Sequence, residues 1–590
     1  MQDLAATLAP AETSLLSTRY FSARFILPFV FFGALWFILC RQLSGEWSVN
    51  GQYNYGWFVP FFALYLFWLR WQDRPRPEIA IRLRRTKSPN RNNRAAAIIA
   101  ALIGLAALLL LLPVRLFEIA NPEWRPLGWI HAASVAALSL LCLWCVGGRP
   151  WLRHFAFPIA FFFVAVPWVT PIEVPIIQGL MRMVAAVAAE TVTLFGIPTQ
   201  LEGNLIRMSS GLVGVNEACS GVRSLQTALM IGLLFGELKR LSIWRRVALV
   251  AGAIAIALGA NLCRAVFLVW IAATRNISEV NRWHELAGYA IVALVFIGTF
   301  GFAYLLGRKK PSDTAAAGVS PATMKDLQPT RLPPQRPVVS WSVPALWLAF
   351  ALCWIAAVEV GAHFWYRAHE RNLVATTRWG VQWPEASANF RELKIAEEVR
   401  RQLRFDQGHA ASWTLPAANP PDASGASKPN TIICLLYLFR WNPGRNSALL
   451  ANLHRPDVCL PAIGWTQVAD TGVRDYPASA SFALPFRHFE FRHGTTEDPT
   501  PAAAHAFYCL SEDRVPTPSA AGANPPQMAT SPSSWTRGER VRQVLEGRRH
   551  LGQQVMEVVF VNSGQLSAAD AESRLREMVR DVVLVQDRDD

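Results

Sequence analysis

Three residues have side chains suited to thiol chemistry, and each stands beside a hydrophobic run. Cys219 sits in Asn216-Glu217-Ala218-Cys219-Ser220-Gly221-Val222-Arg223-Ser224-Leu225, just ahead of one apolar stretch. Arg264 closes Asn261-Leu262-Cys263-Arg264 near the end of the long run Val247–Ala272, and His284 opens the next run in His284-Glu285-Leu286-Ala287-Gly288. The thiolate is the nucleophilic form of cysteine, so a thiol with an ordinary pKa of about 8.5 has to be activated. A helix beginning after Ser220-Gly221 would supply positive potential to Cys219. An imidazole at His284 can take the thiol proton and later return a proton to a leaving amine. Arg264 stays protonated and cannot be a base; its planar fork suits a developing oxyanion or a substrate carboxylate. An arginine well inside a span costs about 2.5–3.5 kcal/mol on insertion scales, so such residues usually face a polar cavity. Each residue also has a structural reading: Cys219 as packing, His284 as a cap or interfacial anchor, Arg264 as a side chain snorkelling to phosphates. A shared depth on one side favours the chemical reading.

That depth depends on the elements carrying the residues. The 590-residue chain is 52% hydrophobic and only 17% charged, below the roughly 25% charge of soluble domains. Apolar runs near the ~20 residues that cross a hydrocarbon layer account for the deficit. Candidate spans are Phe25–Cys40, Tyr55–Leu69, Ala95–Leu112, Gly128–Val146, Phe155–Val169, Leu225–Phe235, Val247–Ala272, Ala287–Leu306 and Val343–Val360. Lys and Arg number 57 against 42 Asp and Glu, a net charge of +15. Much of the excess flanks spans: Arg82–Arg94, Lys239–Arg246 and Arg308–Lys310. This is the positive-inside pattern of a polytopic membrane protein; no aromatic-interleaved basic surface suggests nucleic acid. With those loops cytoplasmic, the N-terminus and the Arg149/Arg153 turn are inside, the fifth span ends outside near Pro167, and Cys219, Arg264 and His284 converge at the outer boundary. The first hydrophobic run lacks a cleavable-signal layout and reads as an anchor. The nine cysteines show no metal spacing, and Cys142-x-x-Cys145 inside an apolar helix reads as packing. No metal or cofactor is expected.

Residues Ile172–Ile197 are apolar enough to span, but Gln178, Arg182 and Glu190 interrupt them. A spanning helix there would reverse the charge bias, whereas an amphipathic helix on the outer interface preserves it, and the second reading is adopted. Leu201–Ala218 alternates around Ser209-Ser210-Gly211 as a small hairpin or extended loop. The fold class expected is a polytopic α-helical membrane bundle, with about eight spans in the catalytic part and one more, followed by a soluble α+β domain. The parts are residues 20–306, a Pro/Ala-rich cytoplasmic linker 307–340, a further span 341–363 and an outer-face domain 364–590. Thr431–Phe439 and Val555–Val561 read as strands, and Ala568–Val583 as a terminal helix. Pro416–Lys428 and Pro516–Ser534 have the composition of disordered loops.

Ala218-Cys219-Ser220-Gly221-Val222-Arg223-Ser224, then Asn261-x-x-Arg264, then His284-x-x-x-Gly288, resemble the ordered signature of the exosortase/archaeosortase family. The resemblance covers roughly residues 20–306, with Val222 where leucine is commoner. It implies a membrane cysteine peptidase/transpeptidase with Cys219 as nucleophile, His284 as proton shuttle and Arg264 as electrostatic partner, and with Ser220, Arg223 and Asn261 in supporting places. It also implies partners: exported proteins bearing a short PEP-like motif, a hydrophobic helix and a basic tail, together with the bilayer and an exopolysaccharide assembly machinery. The implied location is the inner membrane, with the site on the periplasmic side. His454-Arg455-Pro456-Asp457-Val458-Cys459-Leu460-Pro461-Ala462-Ile463-Gly464-Trp465 is similar to the motif of the methanolan-biosynthesis-type domain that accompanies exosortases. His454 and Cys459 could form a second thiol–imidazole pair. The plainer reading is a Pro-bounded turn whose Cys459 packs, or pairs with Cys434 or Cys509 in an oxidising compartment. Two other functions remain open: a non-proteolytic component of polysaccharide synthesis or export, and a thiol acyltransferase using the same Cys and His.

Overall fold

The computed structural model describes residues 23–75, 91–209, 211–215, 220–275, 277–307, 345–416, 431–453, 455–462, 464–493, 502–517, 537–562 and 566–586. Cys219, His454, all of the linker after Gly307 and most of both Pro-rich segments lie outside the described residues. The N-terminal part comprises α1 (Ala23–Val49), a 3-10 turn (Gly51–Trp57), α2 (Val59–Gln72), α3 (Arg91–Ala120), α4 (Arg125–Phe161) and α5 (Thr170–Leu194). A three-stranded antiparallel meander follows, β1 (Gln200–Glu202), β2 (Leu205–Met208) and β3 (Gly211–Gly214). Then come α6 (Val222–Leu238), α7 (Ile243–Thr274), α8 (Ile277–Gly307) and α9 (Ala345–His369). Among the described residues seven of these helices are long and apolar enough to cross a membrane. The expected span Tyr55–Leu69 is instead a 3-10 turn and the 14-residue α2, about 21 Å at 1.5 Å per residue.

α4 has 37 residues and, if straight, would run about 55 Å, well beyond a ~30 Å hydrocarbon core. It is not straight. Gly148 stands at φ 70°, ψ −160°, which breaks the helical ladder, and the chain doubles back there. At its first turns Arg125 donates to Trp168 O (3.1 Å) and Trp129 to Pro167 O (2.8 Å), residues beyond its far end. Trp36 of α1 touches both limbs, through Ser139 Oγ and the Phe162 ring. The two expected spans Gly128–Val146 and Phe155–Val169 are these limbs, with Arg149 and Arg153 at the turn.

Contacts define two ends of the bundle. At one, Arg70 of α2 and Arg246 of α7 both bind Glu237 of α6, and His154 meets the Arg70 carbonyl. At the other, Arg223 at the start of α6 lies against Gly51, and Gly221 against Asn261 in the later part of α7. Both ends of α5 rest at this second end: Glu173 meets Gln52, Tyr53 and Arg125, and Phe195 packs on Trp270. Both ends of α5 thus meet residues at one end of the bundle, although α5 is itself one of the seven helices long and apolar enough to cross a membrane. Its Val184, Ala188 and Val192 bury against Ala265 and Val269 of α7 and Ile206 and Met208 of β2.

The C-terminal part is α+β. Its elements are β4 (Leu373–Ala375), β5 (Arg378–Val381), β6 (Arg391–Glu392), α10 (Glu397–Leu403), β7 (Gln407–Pro416), β8 (Thr431–Trp441), α11 (Ser447–Ala451) and α12 (Pro456–Ala462). They continue with β9 (Thr466–Pro477), β10 (Ala483–His493), β11 (Ala502–Glu512), β12 (Arg514–Pro516), α13 (Arg537–Leu545), β13 (Gln553–Asn562), α14 (Ala568–Val582) and β14 (Val583–Gln586). The main sheet is antiparallel, in the order β6-β7-β8-β13-β11-β10-β9. Alternate residues separate its two cores. Leu436, Phe507, Cys509 and Val558 pack under Leu575 and Val579 of α14, whereas Phe439, Phe491, Tyr508 and Val559 face the other side with Leu403.

That alternation rules out the pairing considered for Cys459. Cys434 and Cys509 lie under α14, whereas Cys459 lies on α12 beside Leu460, which packs against the opposite core. Burial raises the pKa of both Cys434 and Cys509 far above the ordinary thiol range, which makes them inert packing residues.

Candidate active site

α6, α7 and α8 approach closely because small residues line their contact: Ala228, Ala253 and Ala257 are fully buried, and Gly232 lies against Val250. This close approach brings the sequence motifs together. Gly221 caps the start of α6 at φ 87°, a left-handed conformation that favours glycine. A Cβ there would stand 2.7 Å from Asn261 Nδ2, so the buried Asn261 is seated on the motif loop. Ser220, fully buried, accepts from the Val222 N–H at 3.3 Å. Arg264 follows Asn261 by one turn on the same face of α7. Its Nη1 lies 4.0 Å from the position of a Gly288 Cβ on α8. Gly288 is one turn beyond His284, again on one face. The spacings Asn261-x-x-Arg264 and His284-x-x-x-Gly288 thus have a geometric cause: each places one contact residue and one chemical residue a turn apart.

Arg264 and His284 are both half-buried. Arg223 is exposed and reaches across to Gly51. Cys219 is outside the described residues; the motif is described from its chain neighbour Ser220 onward.

A polar cluster beside this rim had no readable sequence signal. Glu173, at the first turn of α5, accepts from Gln52 Nε2 (2.8 Å), Tyr53 Oη and Arg125 Nη1. Tyr53 in turn accepts from the Trp168 N–H at 2.8 Å, and Arg125 Nε pairs with Glu46 at 3.0 Å. Partners more than 40 residues apart along the chain tie α1, the 3-10 turn, α4 and α5 into one frame. The turn so anchored carries Gly51, against which Arg223 lies.

The second motif forms α12, a short helix where a turn was expected. Asp457 holds Arg455 through two contacts of 3.0 and 2.5 Å, and Gly464 at φ 94° follows the helix. A Gly203 Cβ would lie 3.2 Å from Gly464 Cα, so the β1–β2 turn rests on this motif. The soluble domain therefore stands on the end of the bundle that carries Arg264 and His284. Arg404 bonding the Ser48 carbonyl at 2.9 Å and Trp365 bonding that of Val544 at 3.0 Å secure it further. A cavity of about 430 Å³ opens elsewhere at this junction, lined by Arg41, Arg115, Glu359, His363, Arg445 and His550 among others; it does not include Arg264 or His284.

Fold and rim together define a polytopic helical membrane protein with Arg264 and His284 on two neighbouring helices at one end and a soluble α+β domain standing over it. Residues 47–301 match the family model of the transmembrane exosortases. The match contains Ser220, Asn261, Arg264 and His284 and ends before α9, so it supports an exosortase relationship for the membrane part. The family's general activity is that of a membrane cysteine peptidase/transpeptidase. No curated protein and no solved structure matches the chain.

Proposed function

We propose that the chain is a membrane-embedded cysteine peptidase/transpeptidase acting on exported proteins that carry a hydrophobic C-terminal sorting tail. The Cys219 thiolate attacks the scissile carbonyl carbon, and the His284 imidazole takes the thiol proton. The tetrahedral intermediate collapses to a thioester as His284 protonates the departing amine nitrogen. Water then gives cleavage, or an acceptor amine or hydroxyl gives attachment. Arg264 faces the oxyanion or an acidic substrate residue.

One observation carries this reading: Arg264 lies against Gly288, a turn from His284, while Asn261, a turn before Arg264, seats Gly221 two residues after Cys219. α8 is peripheral in the bundle, with Tyr289, Val292, Phe296 and Ile297 exposed, so a substrate's membrane helix can lie alongside it and fix the scissile bond's depth. The basic loops favour a cytoplasmic end opposite this rim, hence a periplasmic site at the inner membrane. The motif of α12 favours an exosortase-associated soluble domain and, with it, the exopolysaccharide connection.

The test is co-expression with a tail-bearing reporter and mass spectrometry of its new C-terminus. Wild type should yield a shortened product and Cys219→Ala none. Normal processing by Cys219→Ala with altered polymer output would replace the peptidase by a polysaccharide-assembly component. A lipid on Cys219 in place of a peptide would indicate acyl transfer.

A further inference from the structure

On the face of the main sheet covered by α14, two imidazoles and a carboxylate converge outside the membrane site. In the register of β10 and β11, Glu490 pairs with His505 and His488 with Phe507. His488 and Glu490, two apart on one strand, therefore share a face with His505. His488 and His505 are 1% and 3% exposed, whereas Glu490 is only half-buried. The two rings meet edge to edge, with His488 Nε2 3.0 Å from His505 Nδ1, and the ligand atoms of all three residues lie within 4.8 Å of one another.

The outward-facing nitrogens decide the chemistry. His505 Nε2 lies 2.9 Å from the Leu566 carbonyl, which can only accept, so Nε2 carries the hydrogen and Nδ1 presents a lone pair. His488 Nδ1 lies 3.1 Å from Thr471 Oγ1, and the Glu572 carboxylate stands 3.8 Å away on the same side. A hydroxyl accepts as readily as it donates, so Nδ1 can carry the hydrogen and free Nε2 as a lone-pair donor. Metal-bound histidines characteristically have this arrangement, the distal N–H held by a carbonyl, hydroxyl or carboxylate.

We propose that His488, His505 and Glu490 bind one first-row divalent transition-metal ion, zinc being the reference case. Two imidazoles and one carboxylate are a known zinc set that leaves a position for water. With metal–nitrogen bonds of about 2.0–2.1 Å, the observed 3.0 Å nitrogen separation subtends roughly 91–97° at the ion, within reach of cis ligation. The half-buried Glu490 completes the set by a small side-chain swing and supplies the route from solvent. The ion would fasten β10 and β11 to the segment entering α14, through Leu566. None of these residues belongs to the thiol site.

The experiment uses the full chain in detergent, stripped with chelator and titrated with Co²⁺ as a spectroscopic probe, then with Zn²⁺ in competition. Wild type should develop cobalt d–d bands saturating at about one ion per chain and losing intensity to zinc. Because loss of a buried ring can unfold the domain, Glu490→Gln is the main variant, checked by circular dichroism. It should weaken cobalt binding at least ~10-fold with the fold intact, and His488→Gln should abolish the bands. Bands absent in wild type, or undiminished in folded Glu490→Gln, would overturn the proposal and leave a hydrogen-bonded histidine pair.

Discussion

Replacing Gly221 by alanine should disable the protein, whereas the same change at Gly51 should not, although a new Cβ meets its nearest atom at almost the same distance in both. At Gly221 the Cβ would stand 2.7 Å from Asn261 Nδ2 and 2.9 Å from Asn261 Cγ. Asn261 is 1% exposed and has nowhere to go. Gly221 is also left-handed, at φ 87°, which costs an L-residue about 1–2 kcal/mol. Overpacking adds about 1–3 kcal/mol. If the loop escapes by moving away from α7, that sum of about 2–5 kcal/mol corresponds to roughly 30- to several-thousand-fold in rate, at 1.36 kcal/mol per decade. At Gly51 the close atom is Nη2 of the exposed Arg223, at 2.8 Å. A long side chain can swing its end aside, so the change should stay within about threefold of wild type. The assay is the initial rate of tailed-reporter cleavage in membranes, normalised to protein level, with melting of the detergent-purified variants alongside. Equal losses at the two glycines, or a Gly221→Ala rate within threefold of wild type, would refute the claim that Asn261 seats the motif loop.

Three further outcomes follow from the same geometry. His284→Ala should slow cleavage by about 10²–10⁴-fold, the usual loss on removing a general acid/base; an unchanged rate removes His284 from the mechanism. Arg264→Lys should also be damaging, because an ammonium cannot reproduce a planar fork; full activity would reduce Arg264 to a simple charge. Glu173→Ala should destabilise the bundle by about 3–5 kcal/mol, the cost of stranding a buried partner, visible as a lowered melting temperature; an unchanged melt would show that the cluster does not hold α5.

Much of the bundle was legible because apolar runs announce themselves. Val247–Ala272, Ala287–Leu306 and Val343–Val360 fall within α7, α8 and α9 or overlap them closely. In the soluble domain, alternation marked β8 and β13 and helical spacing marked α14. The order of the motifs was readable because each uses local spacing, three or four residues on one helix face. Long-range pairings were not. Glu173 looks like any acidic first-turn residue until Gln52, Tyr53 and Arg125 arrive from other elements. α4 reads as two spans, and only the φ of Gly148 shows how the chain turns between them. Of the two alternatives for Cys459, packing or pairing with Cys434 or Cys509, the pairing is excluded by strand parity, invisible before the sheet is assembled, which sends Cys434 and Cys509 to the opposite face. His488 and His505 likewise become neighbours only through the β10–β11 register.

The most direct test of the proposed thiol–imidazole–guanidinium site is a proximity measurement at Cys219. In a chain with every other native cysteine replaced, a single cysteine is introduced at His284 or, as a control, at Phe302, which packs against Gly252 in the early part of α7. A short bifunctional thiol reagent is then applied in native membranes, and cross-linking is read after cleavage at a protease site inserted between α7 and α8. A bridge from Cys219 to position 284 and none to position 302 is the predicted result. A bridge to 302, or none to 284 while both thiols still react singly, would contradict it.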